Sequence, residues 1–223
     1  MLELAKIPDY IKNMSLFEKK FLNILLNGEA VSLPFGKIFD PNLYDELCLV
    51  SYVSSFKFFF DNIKGFKKVT LILGEDEVSK RFLSLNNSAE LELLEQIVDI
   101  EICKKIVAKD ISFRRVSDDS IVHSKIYLAK KDGKPLRVAV GSANFTQQAF
   151  KGKQFEELLV FDDEKYLKIY NERFNYILKE SQDFLTTISY NKIKETIIKA
   201  DTVTANKISN STIIANDINT LTI

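Results

Sequence analysis

The chain has one histidine and two cysteines in 223 residues, and its net charge is zero, with 31 Lys and Arg against 31 Asp and Glu. Each scarcity excludes something. Soft transition-metal sites are built from clustered Cys and His, and neither a cysteine pair nor an H-x-x-x-H spacing occurs, so no metal or other cofactor is expected, although acidic residues alone still admit magnesium. Cys48 and Cys103 are too few and too far apart to form a disulfide framework. No apolar run reaches membrane-spanning length, and the opening MLELAKIPDYIKN lacks the charged-then-apolar pattern of a secretory signal. The expectation is a cytoplasmic protein without a membrane partner. With 46% hydrophobic residues, the chain can bury a sizeable core and is not disordered overall.

A zero net charge by itself argues against a nucleic-acid partner, but the charge is unevenly spread. Residues 101–153 hold twelve Lys and Arg against five Asp and Glu, a surplus of seven that the rest of the chain cancels. Arg114 and Arg115 are the leading candidates for substrate phosphate contacts, with Lys104, Lys105, Lys109, Lys130, Lys131, Lys134, Arg137, Lys151 and Lys153 as further ones. The plain reading of any one of these is a solvated strand or loop residue, because a cluster in sequence is not yet a patch in space.

The single histidine, His123, lies inside this basic stretch, in IVHSKIYLAKKDGKPLRVAVGSANFT, residues 121–146. Histidine is the side chain best suited to act as nucleophile, base and acid near neutral pH. On a strand, H-x-K points His123, Lys125 and Tyr127 to one face. Asp132-Gly133 signals a tight hairpin, with Pro135 leaving a longer loop open. A two-residue loop sets His123 opposite Ser142 and Lys125 opposite Val140, and Asn144 then shares the face of Ser142. The small residues Gly141-Ser142-Ala143 admit close approach of a ligand's oxygens, and Thr146 is placed to cap a short helix, TQQAFKG. H-x-K alone is weak, since a lone strand histidine is more often structural or superficial; G-S-x-N at hairpin distance shifts the balance toward chemistry.

In order, type and spacing, His123-Ser124-Lys125 and Gly141-Ser142-Ala143-Asn144 resemble the H-x-K and G-S-x-N signature of the phospholipase D superfamily. The resemblance covers roughly residues 40–180, and QFEELLVFDD is similar to the strand that brings a glutamate to that family's site. Glu156 is the better match, with Glu157 as the neighbouring alternative. The aspartate expected five residues after the lysine is missing, and Lys130 stands there. That departure speaks against lipid-hydrolysing members and for a branch similar to metal-independent restriction endonucleases. The resemblance implies catalysis by His123, Lys125, Asn144 and Glu156. His123 forms a covalent phosphohistidine, Lys125, Asn144 and Ser142 bind the phosphate, and Glu156 orients His123. It also implies that two such half-sites are needed, so this single-motif chain works as a homodimer with a shared active site.

Along the chain, Ser15-Leu16-Phe17-Glu18 is a capping-box pattern before FLNILL and predicts an opening helix in an appendage spanning 1–39. Residues 40–186 form the expected catalytic domain. Strands are expected at 47–53, 68–74, 111–117, 121–131, 135–144 and 155–161, and helices after Ser54 or Ser55, at 77–86, at 90–99 and from Glu164 to Asp183. This order predicts an α/β fold with a mixed sheet and helices on both faces, which is also the phospholipase D-like fold that the resemblance implies. Phe56, Phe58, Phe59 and Phe60 read as core and dimer packing in preference to a base-stacking platform. Residues 187–223 form a C-terminal extension, a pairing arm or a linker; 191–200 carry a helical pattern and the last twenty or so a strand-like one.

The expected activity is therefore a dimeric, metal-independent phosphodiesterase that cleaves nucleic acid, DNA before RNA, in restriction or DNA processing. Two rivals stand beside it: a non-catalytic nucleic-acid-binding or assembly subunit that retains the fold, and, less favoured, a lipid phosphodiesterase.

Overall fold

A computed structural model describes residues 22–31, 33–74, 97, 99–116, 122–151 and 155–202. Among these residues, nine strands form one mixed sheet in the order β2-β1-β8-β7-β6-β3-β4-β5-β9. In chain order these are β1 (Leu22–Leu26), β2 (Glu29–Val31), β3 (Glu46–Ser51), β4 (Lys68–Leu73), β5 (Ile111–Val116), β6 (Ile126–Lys131), β7 (Lys134–Gly141), β8 (Glu156–Phe161) and β9 (Ser181–Asp183). β3, β4 and β5 run parallel, β6 and β7 form an antiparallel hairpin beside β3, and β8 continues antiparallel to β7 and parallel to β1.

The central strands are apolar on both sides because helices cover both faces, as expected of parallel-type strands. Along β3, Leu47 and Leu49 enter one core while Cys48 and Val50 enter the other. The larger core packs under α1 (Phe35–Ile38), α2 (Phe56–Ile63) and α3 (Ile100–Val107), and also takes in Leu185 and Ile193. The other core lies beneath α5 (Glu164–Lys179), through Leu167, Phe174 and Ile177. A short α4 (Gln147–Lys151) follows the hairpin, with Ala149 N–H donating to the Thr146 hydroxyl at 3.1 Å as the expected N-cap. Ser55 caps α2 by accepting from Phe58 N–H at 3.4 Å. Phe56, Phe58, Phe59 and Phe60 are all buried, so the aromatic run is core. Each such ring contributes about 1.5–3 kcal/mol by leaving water.

Several local expectations are corrected. Leu22–Leu26, expected to be helical, is a strand: Asn27 and Gly28, at φ 50° and 91°, turn it tightly into β2, and its parallel pairing with β8 buries Ile24. The described part of 1–39 holds β1, β2 and α1, with β1 and β2 extending the sheet, while the capping-box residues 15–18 lie outside the described residues. The helix from Glu164 stops at Lys179, not Asp183. Ser181 turns its hydroxyl back to the Leu178 carbonyl at 2.7 Å, and residues 181–183 pair with β5 as β9. Helix α3 starts at Ile100, where Asp99 accepts from Glu101 N–H at 2.9 Å; sequence periodicity had not marked it. The helices expected at 77–86 and 90–99 lie outside the described residues, apart from Ile97 and Asp99. In the C-terminal extension, residues 187–202 are helical, and the strand-like stretch beyond lies outside the described residues.

Candidate active site

The turn Asp132-Gly133 is the expected two-residue loop, with both residues at positive φ and Lys131 paired with Lys134. The register nevertheless differs from the expectation. Ala129 pairs with Arg137 and Lys130 with Pro135, so Leu136 is an extra residue on β7, 43% exposed. This bulge moves the partner of Val140 from Lys125 to Ile126. His123 and Lys125 also precede the strand instead of lying within it, because β6 starts at Ile126. Released from the ladder, the two residues can turn toward each other.

They lie at the edge of the sheet where β3 and β7 end and β6 and β8 begin, as the pairings Val50–Ile126, Ile126–Val140 and Gly141–Leu158 require. Lys125 is buried and His123 exposed. The Lys125 ammonium donates to His123 Nδ1 at 2.9 Å and to the His123 carbonyl at 2.8 Å. An ammonium has no lone pair, so Nδ1 accepts and the ring proton of a neutral His123 sits on Nε2. Burial lowers the Lys125 pKa from its ordinary value, and the negative charge of Glu156 opposes that shift.

The G-S-x-N turn closes the other side. Gly141 presses on β8 so tightly that a Cβ there would lie 1.9 Å from the Glu157 carbonyl oxygen. Ser142 N–H donates to that same oxygen at 3.0 Å, and Glu157 N–H donates to the Ser142 hydroxyl at 3.0 Å. The Ser142 hydroxyl in turn donates to Glu156 Oε2. Ser142 is thus committed to the glutamate strand, and Glu156 is bonded to Ser142 rather than to the His123 ring. Asn144 directs Oδ1 toward the Ser51 hydroxyl at 3.4 Å and Val53 N–H at 3.5 Å, which leaves its Nδ2 amide as the donor for an anionic ligand. Tyr127, expected on the same face as His123 and Lys125, is fully buried below the turn and donates its hydroxyl to the Ala143 carbonyl. Burial drives its pKa far up, so it stays a neutral prop.

The basic residues separate. Ser51, Leu73 and Arg115 align across β3, β4 and β5, on the face that carries Leu49, Leu71 and Phe113, so Arg115 shares the edge and face of Ser51, which contacts Asn144. Two strand spacings place it on the order of 10 Å from Ser51. Arg114 points to the opposite face and is held by the Ser181 hydroxyl at 3.0 Å and by Asp183 at 2.9 Å. Lys130, also a candidate phosphate contact, is buried with Cys48 and Glu46 near the Phe174 ring. With Lys131 and Lys134 it sits at the hairpin tip, roughly 17 Å of strand from the site. Arg137 is paired with Asp162, Lys104 with Glu101, and Lys109 with Asp183 and Tyr190. The charge cluster seen in sequence is therefore largely spent within the fold. Sequence reading also passed over Ser51 and Tyr52, which it absorbed into a single apolar strand running to Val53.

Among the described residues, no group of three or more His, Cys, Asp or Glu is placed to hold a metal ion, and no helix is long and apolar enough to cross a membrane. The Lys125–His123 contact therefore lies at the same sheet edge as the turn that holds the Asn144 amide and anchors Glu156. Residues 67–197, well over half of the chain, match the family described as the NgoFVII restriction endonuclease N-terminal PLD domain, and the chain belongs to that family. It is accordingly a phospholipase D-like nuclease domain, a phosphodiester hydrolase. No curated protein matches it. Solved structures similar to it include NucT from Helicobacter pylori, at 16% identity over 65% of this chain and 86% of that one, with a TM-score of 0.42. Nuc from Salmonella typhimurium, a phospholipase D family member, is similar at 19% identity over 64% of this chain and 84% of that one, with a TM-score of 0.41.

Proposed function

We propose that the chain is one half of a homodimeric, metal-independent nuclease that cleaves DNA in the cytoplasm, in restriction or DNA processing, through a phosphohistidine. The observation that carries this reading is the contact between Lys125 and His123 at 2.9 Å, at the same sheet edge as the Asn144 amide. A DNA phosphate entering there competes for Lys125, because its non-bridging oxygens are better acceptors for an ammonium than a neutral ring nitrogen is. Once Lys125 turns to the phosphate, Nδ1 is free to carry the ring proton and Nε2 to present its lone pair.

Nε2 then attacks phosphorus and forms the P–N bond, while the bond from phosphorus to the leaving sugar oxygen breaks. That oxygen takes a proton from the second protomer's histidine. Water, giving its proton back to that histidine, then displaces the first histidine and leaves a phosphate monoester. Lys125 and Asn144 Nδ2 stabilise the charge on the non-bridging oxygens, the electrostatic part of phosphoryl transfer. Glu156, held by Ser142, supplies the carboxylate that accepts from the His123 Nδ1 proton, and Arg115 extends the phosphate track along the same edge. In this reading the catalytic unit takes in residues 40–186 together with β1 and β2.

A non-catalytic binding subunit was suggested by the loss of the usual aspartate. Lys130, which replaces it, is buried on the α5 side of the sheet beside Phe174, and this separation from His123 supports the catalytic reading. The decisive experiment incubates the purified protein with single- and double-stranded DNA in EDTA, beside His123→Ala, with the oligomer mass recorded. Cleavage by a wild-type dimer, lost in the variant while binding persists, is the expected result. Cleavage that survives in His123→Ala, or that needs a divalent ion, overturns the proposal.

A further inference from the structure

Tyr52 follows directly on β3, and its ring centroid lies 4.5 Å from that of His123, with the planes inclined at 44°. The Lys125 ammonium lies 5.6 Å from the same ring, within cation–π range. Behind the ring lies Gly74, where a Cβ would come within 3.0 Å of Tyr52 Cδ2 and 2.0 Å of the Val122 carbonyl oxygen. The glycine at the end of β4 therefore lets Tyr52 and the segment leading into His123 settle against the sheet edge together.

We propose that Tyr52 is a positioning residue for His123: its ring, packed against the imidazole and close to the Lys125 ammonium, fixes the ring orientation that brings Nδ1 to Lys125 and aims Nε2 outward. Neither His123 nor Lys125 has a strand ladder to hold it, because β6 starts after them. The imidazole is exposed, and without a packing partner its χ1 and χ2 would sample several wells. An aromatic face restrains it at little entropic cost and leaves the outward nitrogen accessible. This inference adds a residue to the site assigned above. Its catalytic consequence rests on the nuclease reading, whereas its structural content does not.

Because His123 is the only histidine in the chain, its carbon-bound ring protons and its two ring nitrogens can be followed by NMR without ambiguity. The variants are Tyr52→Phe, which keeps the ring, and Tyr52→Leu and Tyr52→Ala, which remove it; Tyr52→Leu maintains bulk if the alanine variant does not fold. The expected result is a ring-current displacement of the His123 protons in wild type and Tyr52→Phe that disappears in Tyr52→Leu. The nitrogen shifts should at the same time move from the single Nε2–H tautomer toward a mixture. On DNA, kcat should fall at least tenfold in Tyr52→Leu, KM should change little, and Tyr52→Phe should stay near wild type. Unchanged His123 proton shifts in Tyr52→Leu overturn the proposal, and so does a lost ring-current shift with kcat intact. If wild type itself cleaves no DNA, the nuclease reading fails while the NMR comparison still decides whether Tyr52 sets the imidazole.

Discussion

The Ser51 hydroxyl accepts the Phe145 N–H at 2.9 Å, joining the end of β3 to the G-S-x-N turn 94 residues later. Both residues are fully buried, and the same hydroxyl lies 3.4 Å from Asn144 Oδ1. Ser51→Ala leaves a buried backbone donor without its partner, which costs about 1–3 kcal/mol. The expected outcome is a lower urea midpoint together with a reduced kcat, because the Asn144 amide loses its anchor. Equilibrium unfolding and initial rates on one DNA substrate check both, and an unchanged midpoint contradicts the role given to the hydroxyl.

Lys125 is buried beside His123, its ammonium 2.9 Å from Nδ1, and in the proposed mechanism it turns from there to the phosphate. His123→Ala should abolish turnover, and Lys125→Ala should lower kcat about 10²–10³-fold, the usual effect of deleting one donor to a transition-state oxyanion. Lys125→Arg should not restore the rate, since a planar guanidinium does not fit a slot shaped for a compact ammonium. Burial holds the Lys125 pKa below the ordinary lysine value of 10.5, with Glu156 acting in the opposite direction. Deprotonation removes the positive charge, so the alkaline limb of the rate profile should fall at a pH below 10.5. Single-turnover rates across alkaline pH, with circular dichroism to confirm folding, measure it.

Much of the sheet was legible because its strands are short apolar runs between turn signals: 68–74 and 155–161 match β4 and β8 closely. The clustering of the candidate site was legible because H-x-K and G-S-x-N are short runs that the β6–β7 hairpin brings to one sheet edge. What sequence did not reveal depends on contacts between segments. Leu22–Leu26 follows a capping-box pattern, yet pairing with β8, more than 130 residues away, makes it a strand. The bulge at Leu136 shifts the register that a two-residue turn alone predicts. Tyr52 is distant from His123 in sequence and meets it only because β3 and β6 are neighbours. The lysines looked like a patch because sequence gives no sign that Lys130 is buried or that Arg137 already has Asp162.

Arg137 grips Asp162 with Nε at 2.7 Å and Nη2 at 2.6 Å, and its Nη1 donates to the Ile38 carbonyl at 3.0 Å. Burial alone would raise the Asp162 carboxyl, but the hydrogen bond and charge of Arg137, with a further bond from Asn27, hold it below the ordinary value of 3.8. A carboxyl depressed in the folded state binds fewer protons there than in the unfolded chain. Its contribution to stability is thus present above pH 3.8 and is lost as the pH falls through the folded-state value. Arg137→Met should lower the urea midpoint at pH 7 and flatten the acid dependence of stability. A variant whose acid limb matches that of wild type assigns this dependence to other carboxylates.

The proposed sharing of one site by two protomers makes a prediction about mixtures that no single variant can make. If each active centre takes one histidine from each protomer, a dimer of wild type with His123→Ala contains one histidine where two are required, and it is dead. Activity then follows the square of the wild-type fraction, so an equal mixture reassociated at random keeps about one quarter of the all-wild-type rate. Protomers that act independently keep about one half under the same rule. Mixing His123→Ala with Lys125→Ala should likewise fail to restore activity, because each composite site lacks one histidine and one lysine. The measurement is co-refolding at several fractions, with differently tagged chains to confirm random pairing and with rates read on one DNA duplex. A linear dependence on the wild-type fraction would place a complete catalytic apparatus within each chain and remove the need for the two-fold site.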